Sequence, residues 1–309
     1  MSTFDTDALE CLAAIVEEGS FQRAAVRLNV TQSAVSQRLR AFEAQIGAVL
    51  IVRSRPLKAT AAGQLLLRHT RQMRLLRADL ERDLKELAPA ATGGAREDER
   101  ISIAINADSI ATWALVALNE LAAQGLPLEI ITDDQDFTHD WLREGQVLGC
   151  VTTLKQGLRG CKVTPLGAMP YVAVAQPAYA HTHCPAGLTQ RNFRDLPFVA
   201  FNRKDDMQSE FVAKALGLRR VALRQTFVPS SEGRVRAVLA GWGASVVPHT
   251  QVSGLLEQGR LIDIAPGHSL PVQLYWHCWN LESEVLDSLT RALSQAAHGT
   301  LLQGRAAAA

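Results

Sequence analysis

In the segment NVTQSAVSQRLRAFEAQIG, apolar residues stand at Val35, Leu39, Phe42 and Ile46. These offsets of i, i+4, i+7 and i+11 are the period of a helix buried along one side. Thr31 is placed to cap its start and Gly47 to end it. At about 100° per residue, Gln32, Ser33, Ser36, Gln37 and Arg40 gather about a third of a turn from the apolar stripe. The preceding stretches repeat the pattern. Leu9, Leu12, Ala13 and Val16 form one apolar face that Gly19 ends, and Ser20 caps a second helix that turns Phe21, Ala24, Ala25 and Leu28 inward. Asn29 and Val30 make a tight connection. Helix, tight turn and amphipathic helix make a helix-turn-helix, predicted within residues 4 to about 58.

LIVRSRPLKAT follows, a β-like apolar pair and then Arg53, Arg55, Pro56 and Lys58, which predicts a small basic wing. Thr60 opens another helix to about Leu87, in which Leu66, Met73, Leu80 and Leu87 repeat every seven residues and Leu76 and Leu84 widen the stripe. A helix that long exceeds the ordinary globular length, so its apolar stripe is expected to be covered by a second copy of the chain. APAATGGARED, Ala88 to Asp98, reads as a linker.

Beyond the linker the period changes. RISIAIN, LPLEIIT, LGCVTTL, YVAVA, PFVAF and ASVVP read as buried strands alternating with helical stretches such as ATWALVALNELAAQ. This rhythm predicts parallel sheets with helices on both faces. The strands fall into groups around 100 to 165 and 166 to 266, and VQLYWHCW with the helix after it is expected to rejoin the first group. Two lobes with a cleft result, so the fold class is α plus α/β.

A length of 309 residues suits two or three compact units, and 47% hydrophobic against 20% charged residues is ordinary for a globular protein. The start, MSTFDTDALE, lacks a basic-then-apolar signal pattern, and no stretch approaches the ~20 uninterrupted apolar residues that span a bilayer. A cytoplasmic protein with no membrane partner is expected. Cys11, Cys150, Cys161, Cys184 and Cys278 form no C-x-x-C pair and are expected to be buried thiols.

Net charge is only +1, but from Ser20 to Arg77 there are eleven basic residues and one acid, Glu43. Such a local excess favours a polyanionic partner. Glutamine, serine and arginine offer donors and acceptors to base edges, whereas a Lys/Glu face would bind DNA unselectively or repel it. Gln32, Ser33, Ser36, Gln37 and Arg40 are therefore the expected major-groove contacts with double-stranded DNA. Arg53, Arg55 and Lys58 are expected on the backbone or minor groove.

Enzyme readings are weaker. Gly243-Ala244-Ser245-Val246-Val247 starts like a nucleophile elbow but lacks its final glycine and lies in a strand-like run. His181, His183 and Cys184 lack a fourth metal ligand and read as a solvated loop. Gly93 and Gly94 belong to the linker rather than to a phosphate loop. No catalytic residue, metal or cofactor is expected.

The run FQRAAVRLNVTQSAVSQRLRAFEAQIGAVLIVRSRPLKATAAG resembles the DNA-binding signature of the LysR-type transcriptional regulators. AINADSIATW, LREGQVLGCVTT, VPSSEGRVRAVLAGWG and LYWHCW resemble the ArgP/LysG-like subgroup, which senses lysine or arginine and controls export or synthesis of basic amino acids. One departure is Ala59-Thr60-Ala61-Ala62-Gly63, where the family usually has Leu-Thr-Glu-Ala-Gly, so a local glutamate contact is lacking.

The resemblance implies a winged helix-turn-helix over 1–59, a dimerisation helix over 60–88 and a hinge over 89–99. It further implies a periplasmic-binding-protein-like effector domain, with lobe I at 100–165 and 267–300 and lobe II at 166–266. A homodimer or homotetramer, an interrupted palindromic operator and RNA polymerase as a partner are implied too.

The ligand of such a domain lies between its lobes, where strand ends and helix N-termini meet. Asn106, Asp108 and Ser109 follow the first strand, and Ser230, Ser231 and Glu232 occupy the matching place in the second lobe. Serine-capped helix ends suit the carboxylate of an amino acid. Asp108, Asp133, Asp134 and Glu232 suit its cations. Thr152 ends another strand, and Asn202, in the charged loop Asn202–Asp206, is expected to border the cleft. Trp113 and Trp242 are expected in the core. Two rivals are a LysR-type regulator of another small metabolite and a solute-binding protein that shares the sensor fold.

Overall fold

The structure is a computed structural model that describes residues 5–52, 54, 57–87, 100–133 and 138–304, with the side chains of 85–87 excepted. The expected linker Ala88–Asp98 lies outside the described residues. The chain divides into two compact units. One holds the residues up to 101 with segments 140–148 and 281–285, and the other holds 102–139, 149–280 and the residues from 286 on.

In the first unit, α1 (Thr6–Glu18), α2 (Phe21–Arg27) and α3 (Gln32–Ile46) precede a hairpin of β1 (Ile51–Val52) and β2 (Lys58–Ala59), and α4 (Ala61–Leu87) follows. The caps explain the boundaries. Gly19 and Gly47 end α1 and α3 in the left-handed conformation, and the Thr31 side chain accepts the Ala34 N–H at 3.2 Å. Asn29 supplies the turn with φ of 54°. Leu9, Leu12 and Ile15 pack with Ala24 and Ala25, with Val35, Leu39 and Phe42, and with Leu50. A Cβ at Gly63 would collide with the Leu50 carbonyl oxygen, so α4 approaches the hairpin closely only with glycine there.

One expectation for the long helix changes. Leu66 joins this core instead of the seven-residue stripe, because with Leu67 it faces α1. The exposed apolar stripe is Leu65, Met73, Leu76, Leu80 and Leu84, while the side chain of Leu87 lies outside the described residues.

The second unit contains β3 (Ile101–Ala104), α5 (Ala107–Ser109), a π turn at Ile110–Ala114, α6 (Leu115–Ala123), β4 (Leu128–Ile131), α7 (Thr138–Arg143) and β5 (Gly149–Thr152). Then come β6 (Cys161–Ala175), α8 (Pro177–His183), β7 (Pro197–Ala200), α9 (Met207–Leu216), β8 (Arg224–Phe227) and α10 (Ser231–Leu239). The chain closes with β9 (Ser245–Pro248), α11 (His249–Glu257), β10 (Ile262–Asp263), β11 (Leu270–Trp279) and α12 (Glu284–Thr300). Ile101 of β3, residues 140–143 of α7 and residues 284–285 of α12 fall in the first unit.

The seven-stranded sheet is mixed rather than parallel. β3 and β5 run parallel, as do β7 and β8, but β11 is antiparallel to β5 and β6, and β6 is antiparallel to β9 and β10. The reason is the length of β6 and β11, which carry the chain from one half of the unit to the other and back. Residues 161–165 of β6 pair with 275–279 of β11 beside β5, and residues 171–175 pair with β9 and β10. Only the apolar end of β6, YVAVA, reads as a strand in the sequence. β8, with the polar mostly exposed run Arg224–Phe227, has no apolar pattern to announce it.

Three smaller expectations differ. His181 and His183 belong to α8, which Pro177 starts and the Gln176 side chain caps through the Tyr179 N–H at 2.8 Å. Trp242 is 56% exposed, whereas Trp113 is buried. Cys161 is half-buried, and the other four thiols are buried.

Candidate functional site

The face of α3 is built by its burial. Val35, Leu39 and Phe42 fix the helix against the core, which leaves Gln32, Ser33, Gln37 and Arg40 exposed and Ser36 half-buried on another side. The Ser33 hydroxyl lies 3.0 Å from that of Thr31, so it also belongs to the cap. Lys58 is exposed on β2. Arg53 and Arg55 lie outside the described residues.

Much of the local basic excess is internally paired. Arg27 meets Glu17 at 2.7 Å, Arg74 meets Glu10 and Glu17, and Arg77 meets Glu81 at 2.9 Å. The acids sit on either side of the counted window, so linear counting missed them. Arg38 and Arg40 make no ion pair with the described residues, and both are exposed on α3. Among the described residues, Arg38 and Arg40 thus leave unpaired cations on the helix whose polar face was read as DNA-facing, and Lys58 is exposed on β2.

In the second unit, Asp108 is the centre of a buried cluster. Its Oδ1 accepts from Arg234 Nη2 and from the Ser231 hydroxyl, each at 2.5 Å, and its Oδ2 accepts from the Tyr171 hydroxyl at 2.9 Å. Asp108 comes from α5, Tyr171 from the long β6, and Ser231 and Arg234 from one face of α10, three residues apart. Burial works against the charge of Arg234, but Asp108 and Asp205 outweigh it and hold the guanidinium above its ordinary pKa. Burial and the Asp108 charge push the Tyr171 hydroxyl well above its ordinary range, so it stays a donor.

Beside this cluster is a cavity lined by Asn106, Ala107, Asp108, Asp133, Phe201, Asp205, Met207 and Arg234. Its volume of about 20 Å³ admits roughly one water molecule. Three carboxylates face one guanidinium there. The Asp205 carboxylate is itself held by the N–H groups of Phe201 at 2.8 Å and Met207 at 3.0 Å, which fold its loop against the cavity. Asn106 Oδ1 and Arg234 Nε are buried without a hydrogen-bond partner among the described residues. So is the fully buried hydroxyl of Ser109.

Asn106, Asp108, Asp133 and Ser231 therefore share one site, as their strand-end positions suggested. Asp134 lies outside the described residues. The other five candidates, the buried Ser109 among them, do not line the cavity. Ser230 is exposed and caps α10 through the Gly233 N–H at 3.0 Å, and Glu232 points to solvent near Arg236 at 3.9 Å. Asn202 closes its own turn by accepting the Lys204 N–H at 2.7 Å. Thr152 accepts the Leu154 N–H at 3.3 Å. Tyr171, Arg234, Phe201 and Met207 were missed. The signals were a lone tyrosine in an apolar strand and an arginine one helical turn after Ser231.

Two family models match the chain. A bacterial regulatory helix-turn-helix protein model of the lysR family covers residues 6–64, and the LysR substrate binding domain covers 94–299. The HTH-type transcriptional regulator ArgP of Aeromonas salmonicida is 41% identical over 294 residues, 95% of this chain and 96% of that protein. The crystal structure of ArgP from Mycobacterium tuberculosis superposes with a TM-score of 0.82 at 38% identity, covering 98% of this chain and all of that one. Full-length LysG from Corynebacterium glutamicum with bound effector Arg gives a TM-score of 0.72 at 33% identity, covering 97% of this chain and all of that one.

Proposed function

This chain belongs to the LysR family of bacterial helix-turn-helix regulatory proteins, and on that premise we propose that it is a sequence-specific transcriptional regulator whose effector is arginine or lysine. The observation that carries the effector class is the cavity itself, where Asp108, Asp133 and Asp205 outnumber the single cation Arg234. A basic amino acid brings two cations and one carboxylate, so it meets that excess of negative charge. A simple acid would be repelled by it. The likeness to LysG solved with arginine supports the same class.

DNA is read by the α3 face of Gln32, Ser33, Ser36, Gln37 and Arg40, with Arg53, Arg55 and Lys58 of the wing on the backbone or minor groove. The winged head is assigned to 1–59, the dimerisation helix to 60–88, the hinge to 89–99, and the effector lobes to 100–165 with 267–300 and to 166–266. The exposed stripe of Met73, Leu76, Leu80 and Leu84 supports pairing with a second copy, in a homodimer or homotetramer. The protein acts in the cytoplasm on an interrupted palindrome, with RNA polymerase as its partner, and controls export or synthesis of basic amino acids. No described helix is long and apolar enough to cross a membrane. An effector works by favouring one arrangement of the DNA-reading heads, which requires different affinities for the two arrangements.

Titration calorimetry of the full chain with arginine, lysine and a panel of small acids tests the effector class. Heat of binding with a basic amino acid alone is expected. Absence of heat with both basic amino acids, or binding of an acid instead, contradicts it.

A further inference from the structure

We infer that Arg234 is the resident occupant of a guanidinium seat in the cleft, which a free arginine must displace from Asp108 in order to bind. The inference rests on the reading of the cleft as a basic amino acid site and adds a residue that sets its affinity and its preference for arginine over lysine.

Asp108 already accepts three hydrogen bonds. Oδ1 serves Arg234 and Ser231, and Oδ2 serves Tyr171. Of the three donors only Arg234 is charged, so an incoming guanidinium that takes its place exchanges one cation for another. The remaining space is what requires the exchange. About 20 Å³ falls far short of the roughly 300 Å³ at which small-molecule pockets begin. Arg234 is 2% exposed, so its side chain fills what would otherwise be the room for a ligand.

The seat has the features of a guanidinium site. The Arg234 guanidinium carbon lies 5.9 Å from the centre of the Phe201 ring, Nη1 donates to the Val246 carbonyl at 3.3 Å, and Asp205 adds its charge. A planar cation over a ring with a fork of donors suits this place better than a compact ammonium. The resident is also incompletely satisfied, since its buried Nε has no hydrogen-bond partner among the described residues. Exchange of one guanidinium for another keeps Asp108 paired in both states, so the penalty of an unpaired buried carboxylate does not arise. The apparent affinity of the free protein is then reduced by the fraction of molecules in which Arg234 has left the seat.

The test is calorimetry of the full chain with L-arginine and L-lysine, for wild type, Arg234→Met and Arg234→Gln. Methionine keeps an unbranched chain without charge. Glutamine leaves a neutral N–H for Asp108 and guards against a variant that fails to fold. Both are expected to bind arginine at least tenfold more tightly than wild type, with a smaller gain for lysine. Unchanged affinity overturns the inference while the basic amino acid reading stands. Weaker binding overturns it too and makes Arg234 an anchor for the ligand. If wild type and folded variants give no heat with either amino acid, the effector reading itself fails and takes the inference with it.

Discussion

Arg74, midway along α4, holds Glu17 near the end of α1 across 2.9 Å. The same guanidinium also pairs with Glu10, about two turns earlier on the same face of α1. The long helix is thereby fastened to the helix-turn-helix by a fork of charge-assisted hydrogen bonds as well as by apolar packing. Arg74→Ala takes the guanidinium from the partly buried Glu10 and leaves Glu17 with Arg27 and Arg71. We expect a loss of about 2 kcal/mol, between the value of an exposed pair and that of a fully buried one. Urea unfolding of the full chain checks this, and a midpoint equal to wild type contradicts it.

The same cluster gives the first unit a defined response to acid. Burial pushes the Glu17 carboxyl up, but the guanidiniums of Arg74, Arg71 and Arg27 outweigh it and hold its pKa below the ordinary 4.5. The folded state therefore binds fewer protons than the unfolded chain in that range. The contribution of Glu17 is complete above about pH 4.5 and is lost as pH falls through the lower folded value. Unfolding midpoints measured from pH 6 to about pH 3 should fall less steeply for Glu17→Gln than for wild type. Parallel curves would contradict the assignment.

Asp108→Asn removes the charge at the centre of the cleft and keeps the size of the side chain, while turning one acceptor oxygen into an amide donor. The variant is expected to keep its selective DNA binding and lose most of its response to arginine, as read by electrophoretic mobility shifts at graded arginine. An undiminished response would move the effector site elsewhere.

The helical head was legible because its information is local. Thr31 and Gly47 carry their capping roles wherever the rest of the chain lies, and Val35, Leu39 and Phe42 mark one face by spacing alone. Asp108 and Ser231 were legible for a similar reason, since each follows a strand and opens a helix. Their partners were not. Arg234 meets Asp108 across 126 positions of sequence, a pairing that depends on how β6 and β11 bring the two halves of the sheet together, and Tyr171 lies in the middle of β6 where apolar neighbours conceal it. Glu232 and Ser230 share the helix start with Ser231 but lie on its solvent side, a distinction of rotation that strand-end position cannot make. The charge excess misled in the same way, because Glu10 and Glu17 lie outside the basic stretch in sequence and against it in space.

The most direct test of sequence-specific recognition through α3 is binding of the full chain to its own promoter region and to random duplex of equal length at physiological ionic strength, with and without arginine. Wild type should prefer the promoter fragment and change its affinity or mobility pattern when arginine is added. Arg40→Ala should lose roughly 1 to 3 kcal/mol of that binding together with part of the selectivity. Equal affinity of wild type for promoter and random DNA under every condition would contradict the account.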